Sequence, residues 1–186
     1  EEDLEVDDGK YEAWDRANDP HRVDIDNKFV YEIDGLPLEG KTKSEPIPAD
    51  YWATARDSIN RRWDGEESLS PAEKVEKALD KAGFAKAITN QFGIYSGYRK
   101  SCDESSECED LKDGSSCVKP RGATGDKSGR CIPGWWGICH GWAPYAFSEP
   151  AAVNPVTRND VTFYPGDLEG LMSLAYSRSL PTMFLS

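Results

Sequence analysis

The 186 residues carry 22 basic and 34 acidic side chains, a net charge of −12, with 38% hydrophobic and 30% charged residues. A chain this acidic repels phosphate backbones, so no nucleic-acid partner is expected. No apolar run approaches the roughly 20 residues of a membrane helix, so no membrane span is expected either. Six Trp, eight Tyr and six Phe are too many for a wholly disordered chain, and a buried core is expected.

Residues 1–34 hold 13 acidic and 4 basic side chains and read as a solvated, extended arm, with one short strand at Phe29, Val30, Tyr31 and Ile33. Turn residues from Gly35 to Pro48 follow. We therefore divide the chain into an acidic arm, 1–45, and a lobe, 46–186. Tyr51, Trp52, Ala55, Ile59 and Trp63 recur every three or four residues, predicting a helix over 49–63. Ser70-Pro71-Ala72-Glu73 is a capping box with proline at the first helical position. It predicts a helix burying Val75, Leu79 and Ala82 that stops at Gly83. Phe84, Ile88 and Phe92 predict a further short helix ending at Gly93. Val153–Phe163 reads as extended, with Asn154-Pro155 and Asn159-Asp160 as turns inside it. Asp167 is placed to cap a last helix carrying Leu168, Leu171, Met172, Ala175 and Tyr176.

Four of the five cysteines, Cys102, Cys108, Cys117 and Cys131, fall in a polar insert, 101–131, that lacks the apolar residues for a core of its own. Two disulfides explain how it holds together, and they imply an oxidising compartment and a secreted, extracellular protein. Four cysteines allow three pairings, and spacing does not choose among them; 102–117 with 108–131 is the preferred one. The alternative is zinc, but C-x5-C-x8-C-x13-C lacks the short C-x2–4-C pairs of zinc sites. Asp103, Glu104, Glu107, Glu109, Asp110 and Asp113 crowd the insert, and Asp24, Asp26 and Asn27 form a second acidic run. Neither has the EF-hand spacing. No metal or cofactor is expected, with calcium at these carboxylates the one alternative.

The odd cysteine, Cys139, has different surroundings: Gly134-Trp135-Trp136-Gly137-Ile138-Cys139-His140-Gly141-Trp142. Gly137-Ile138 permits a tight turn, and a helix over His140–Phe147, ended by Glu149-Pro150, would put the thiol at a positive helix end. The Cys139 N–H and a Trp indole would then bind an oxyanion, and Trp135, Trp136 and Trp142 would wall the site against water. The competing reading is a buried structural cysteine in an aromatic cluster. A Cys nucleophile needs a base, and the chain has two histidines. His140 adjoins Cys139, and successive helical side chains diverge by about 100°. His21 lies in a turn of the acidic arm. The count places the base outside these residues.

The segment Gly134–Pro144 resembles the active-site segment of the transglutaminase elicitor family. Tyr51–Trp63, Ser70–Lys74, Pro155–Phe163 and Asp167–Met172 resemble that family in order, so the likeness spans about residues 46–176. It implies an α+β fold, the helix-rich lobe of a papain-like cysteine enzyme, here with a disulfide-stapled insert. It also implies a protein-glutamine γ-glutamyltransferase that joins glutamine to lysine through a thioester on Cys139. The insert is not recognised as a fixed feature of the family, and the acidic arm is not matched to it. The apolar end Leu180–Leu185 reads as an interrupted domain. A second polypeptide cut from the same precursor would carry the catalytic His and its orienting Asp or Asn. Two other functions fit the same residues: a cysteine peptidase or deamidase with the same chemistry, and a non-catalytic secreted binding domain.

Overall fold

A computed structural model describes residues 33–35, 38–41, 45–48, 50–121 and 128–179. One compact unit comprises Thr42–Ser179; a second includes the described residues 33–35 and 38–41. In the latter, Ile33–Gly35 forms a single 3-10 turn. Most of the acidic arm, with its expected strand, His21 and the Asp24–Asn27 run, lies outside the described residues, as does 180–186. Among the described residues no helix is long and apolar enough to cross a membrane.

The larger unit mixes helix and sheet. Its helices are α1 (Pro71–Leu79), α2 (Phe84–Gln91), α3 (Cys139–Ser148) and α4 (Pro165–Ser179). Strands β1 (Ser101–Cys102), β2 (Ser115–Val118) and β3 (Gly129–Pro133) form an antiparallel sheet in the order β1-β3-β2. Strands β4 (Val156–Arg158) and β5 (Val161–Phe163) make a hairpin.

The expected helix over 49–63 is not formed. Two 3-10 turns, Thr54–Arg56 and Ser58–Asn60, replace it. Asp57 and Ser58 between and within them have φ of 64° and 56°, left-handed values that end a right-handed helix. The Asp57 carboxylate accepts N–H of Ile94 at 3.0 Å and the Thr89 hydroxyl at 2.7 Å. Long-range bonds thus replace the local ladder. The apolar spacing still does its packing work. Trp52 and Ile59 are buried with Ala72, Ile88 and Ile138, and Trp63, Phe84, Phe92, Leu171 and Leu174 pack around them.

The capping box at Ser70 is complete in both directions. α1 ends earlier than expected, because Asp80 adopts a left-handed conformation; Gly83 instead precedes α2 as its N-cap. Leu79 and Ala82 are exposed, while Ala72 and Ala78 are buried. Ala78 meets Val161 and Phe163 of β5 in a second apolar cluster. The segment read as extended is a hairpin, turned by Asn159 and Asp160 with φ of 48° and 60°, the paired positive values of a type I′ turn.

α4 starts at Pro165, so Asp167 is its third residue rather than its cap. The carboxylate reaches back to the Tyr164 N–H at 2.7 Å and accepts from the Trp63 indole at 2.9 Å. It is fully buried and ion-paired with buried Lys74 of α1. This pair joins the two helices through the core.

Disulfides link Cys102 to Cys117 and Cys108 to Cys131. Cys102, Cys108 and Cys131 are themselves the buried centre of the insert. Sulfur here replaces the apolar side chains that the insert lacks.

Candidate active site

The Cys139 loop is held by hydrogen bonds to one segment. The Tyr51 hydroxyl donates to Gly134 O at 2.8 Å. The Thr54 N–H donates to Trp136 O at 2.8 Å, and the Ile138 N–H donates to Tyr51 O at 3.0 Å. Gly137 is required by this close approach: a Cβ there would lie 2.4 Å from Tyr51 O. Ile138 then drops into the core at 2% exposure and anchors the loop.

Cys139 is the first residue of α3, one earlier than expected. Gly141 and Trp142 N–H both donate to Ile138 O at 2.9 Å. That leaves the Cys139 and His140 N–H groups at the open end of the helix, where no earlier carbonyl can reach them. The rest of α3 is seated on α4. A Cβ on Gly141 would come within 2.1 Å of Ser173 O, so glycine sets how closely the helices approach. Tyr145 and Ala146 are buried, and Tyr145 packs on Tyr176 with ring centroids 6.0 Å apart. Backbone and packing both fix where the thiol stands.

Cys139 is free and exposed. The three tryptophans expected to wall the site differ in exposure. Trp136 is 37% exposed and meets Trp135 edge-on at 5.9 Å, but Trp135 is 70% exposed. Trp142 is half-buried, and its Nε1 is enclosed without an acceptor. His140 is exposed, and no hydrogen bond joins it to Cys139. His21 is outside the described residues. Among those described, no imidazole serves the thiol.

Three features were not legible in the sequence. Arg99 stacks on Trp136, its Cζ 4.5 Å from the ring centroid. Asp57 gathers Ile94, Thr89 and Asn60; burial pushes its carboxyl up, against those bonds. Beside Asp57 lies a cavity of about 630 Å³, with Arg56, Asn60, Thr89 and Arg121 among its lining. Neither Cys139 nor any Trp lines it. Each feature depends on residues distant in the chain, with no local spacing to signal it.

Several carboxylates of the insert have partners within the chain. Glu107 accepts the N–H groups of Asp103 and Glu104, which hold its carboxyl below the usual range. Asp113 is lowered by Ser115, and Asp110 accepts from Lys100 at 2.9 Å. The sulfurs of Cys102, Cys108 and Cys131 lie within 4.8 Å of one another, but as disulfides they are not thiolate ligands.

The sequence profile of the transglutaminase elicitor family matches residues 24–185. The crystal structure of the GP42 transglutaminase from Phytophthora sojae is similar to this chain, at 41% identity and a TM-score of 0.68. The match covers 77% of this chain and 42% of that one, so the chain spans about two fifths of its relative's length. None of the curated proteins matches the chain.

Proposed function

The chain belongs to the transglutaminase elicitor family, and from that premise we propose that it is the cysteine-bearing part of a secreted protein-glutamine γ-glutamyltransferase. The observation that carries this reading is Cys139: free, exposed and first in α3, on a loop fixed by Tyr51 and Thr54.

The Cys139 thiol passes its proton to an imidazole, and its sulfur attacks the carboxamide carbon of a glutamine side chain. The resulting oxyanion takes hydrogen bonds from the Cys139 N–H and the Trp136 indole. An imidazolium then protonates the departing nitrogen, ammonia leaves, and a thioester remains. A lysine amine attacks the thioester, its proton passes to the imidazole, and the isopeptide product releases the thiol. Trp136 and half-buried Trp142 would favour amine over water by shielding the thioester, whereas Trp135 is too exposed to contribute much. The imidazole and its Asp or Asn belong to a second, papain-like lobe on a polypeptide cut from the same precursor. In this reading 46–186 is the helical lobe and 1–45 its acidic arm. The two disulfides agree with an oxidising, extracellular setting.

The test uses the full-length protein with a glutamine peptide and a labelled amine. Stable label supports transfer; free glutamate means deamidation, and a cut backbone means proteolysis. Cys139→Ser should lower labelling by about a thousandfold or more. Labelling that survives this substitution removes Cys139 from the chemistry. A wild-type thiol inert to alkylation would favour the non-catalytic binding domain.

A further inference from the structure

We propose that Arg99 determines which glutamine is used: its guanidinium, stacked on Trp136 three residues before Cys139 in the same loop, binds the carboxylate of an Asp or Glu near the reactive glutamine. This rests on the reading of Cys139 as the nucleophile and adds a substrate preference to it.

Arg99 is a partly buried cation that meets only neutral acceptors. Its NH1 donates to Ser96 O and to Ser96 Oγ, the latter at 3.0 Å. Its Nε is enclosed without an acceptor. Among the described residues no carboxylate lies within 4.0 Å of it, whereas Arg61 has Asp50 and Arg62 has Glu73. Burial lowers the guanidinium from its ordinary range, and no counter-charge opposes this. A chain with 34 acidic side chains has many carboxylates to offer. Holding a partly desolvated charge without one costs some stability, and such departures gather at functional sites.

The remaining donors point to a charged ligand on the glutamine side. NH2, with two N–H groups, has no partner among the described residues. A carboxylate makes a bond about twice as strong there as a neutral carbonyl does, and the indole face lowers the local dielectric. An incoming lysine ammonium would be repelled. The spacing to the thiol is set by backbone, since Thr54 holds Trp136 and Tyr51 holds Ile138. Arg99 thus has a fixed position from which to select.

The experiment uses the full-length protein and blocked peptides, each with one glutamine and a Glu one or two positions to either side. Matched peptides carry Ala in place of Glu. Binding is read first, by tryptophan fluorescence in Cys139→Ser protein. The best acidic peptide should bind about 10- to 50-fold tighter than its Ala match, and the ratio should approach one in 1 M salt. Arg99→Met, which keeps an apolar stem over Trp136, should collapse the same ratio. With active protein the preference should fall on KM. Equal binding of all peptides, a ratio indifferent to salt, or a preference that survives Arg99→Met overturns the proposal. The salt series needs no variant at residue 99, so a misfolded Arg99→Met still leaves a decision. Arg99-dependent binding without amine transfer would sink the transferase reading alone. Equal transfer to acidic and Ala peptides would sink the Arg99 proposal alone.

Discussion

Gly137 and Gly134 bracket the tryptophan pair, yet they answer to different constraints. A Cβ on Gly137 would meet Tyr51 O at 2.4 Å, while one on Gly134 would meet nothing within 4 Å. Gly137→Ala should therefore cost about 1–3 kcal/mol in urea unfolding, and Gly134→Ala less than about 0.5 kcal/mol. Slower alkylation of Cys139 should accompany the first substitution alone. Glu73 offers a second residue-level test. Burial alone would push its carboxyl up, but Arg62 and Ser70 outweigh it and hold the group below 4.5. A carboxyl lowered by folding stabilises above its unfolded value and loses that contribution as pH falls through its folded value. Glu73→Gln should be less stable than wild type at pH 7, with the gap closing as unfolding is measured at successively lower pH below 4.5.

Elements in this fold are joined by polar groups as well as by apolar faces. The Lys74–Asp167 pair connects α1 to α4 with both side chains buried, and Asp167 also holds Trp63 and Tyr164. Removing one partner strands the other charge in the core. Asp167→Ala should cost about 3–5 kcal/mol. Lys74→Met combined with Asp167→Leu should cost less than the sum of the single changes, as a double-mutant cycle in urea would show. The α3–α4 contact through Gly141 and Ser173 ties this core to the helix that carries Cys139.

Across the whole molecule, sulfur is divided between two jobs. Four of the five cysteines are disulfide-bonded within the insert, and one is free at the start of α3. Native protein should therefore react with one equivalent of thiol reagent, and reduced, unfolded protein with five. A native count of zero would contradict the free thiol. Cys108→Ser with Cys131→Ser should cost about 2–5 kcal/mol, because the insert has little else at its centre.

Much of this protein is written in short-range chemistry. The capping box at Ser70, the helix from Phe84, the break at Glu149-Pro150 and the helix that begins at Cys139 each depend on neighbours a few residues apart. So does the run Gly134–Trp142, which is specific enough to bring the family into view. The helix expected over 49–63 failed because Asp57 bonds Ile94 and Thr89 more than 30 residues away, and no local spacing encodes that. Asp167 moved from cap to core because Trp63 and Lys74 claim its oxygens. Trp142 turned inward while Trp136 stayed out, and Arg99 came to rest on Trp136, only once the chain had closed. Local bonds are decided by adjacent residues, but a buried charge or a stacked cation is decided by what folding brings against it.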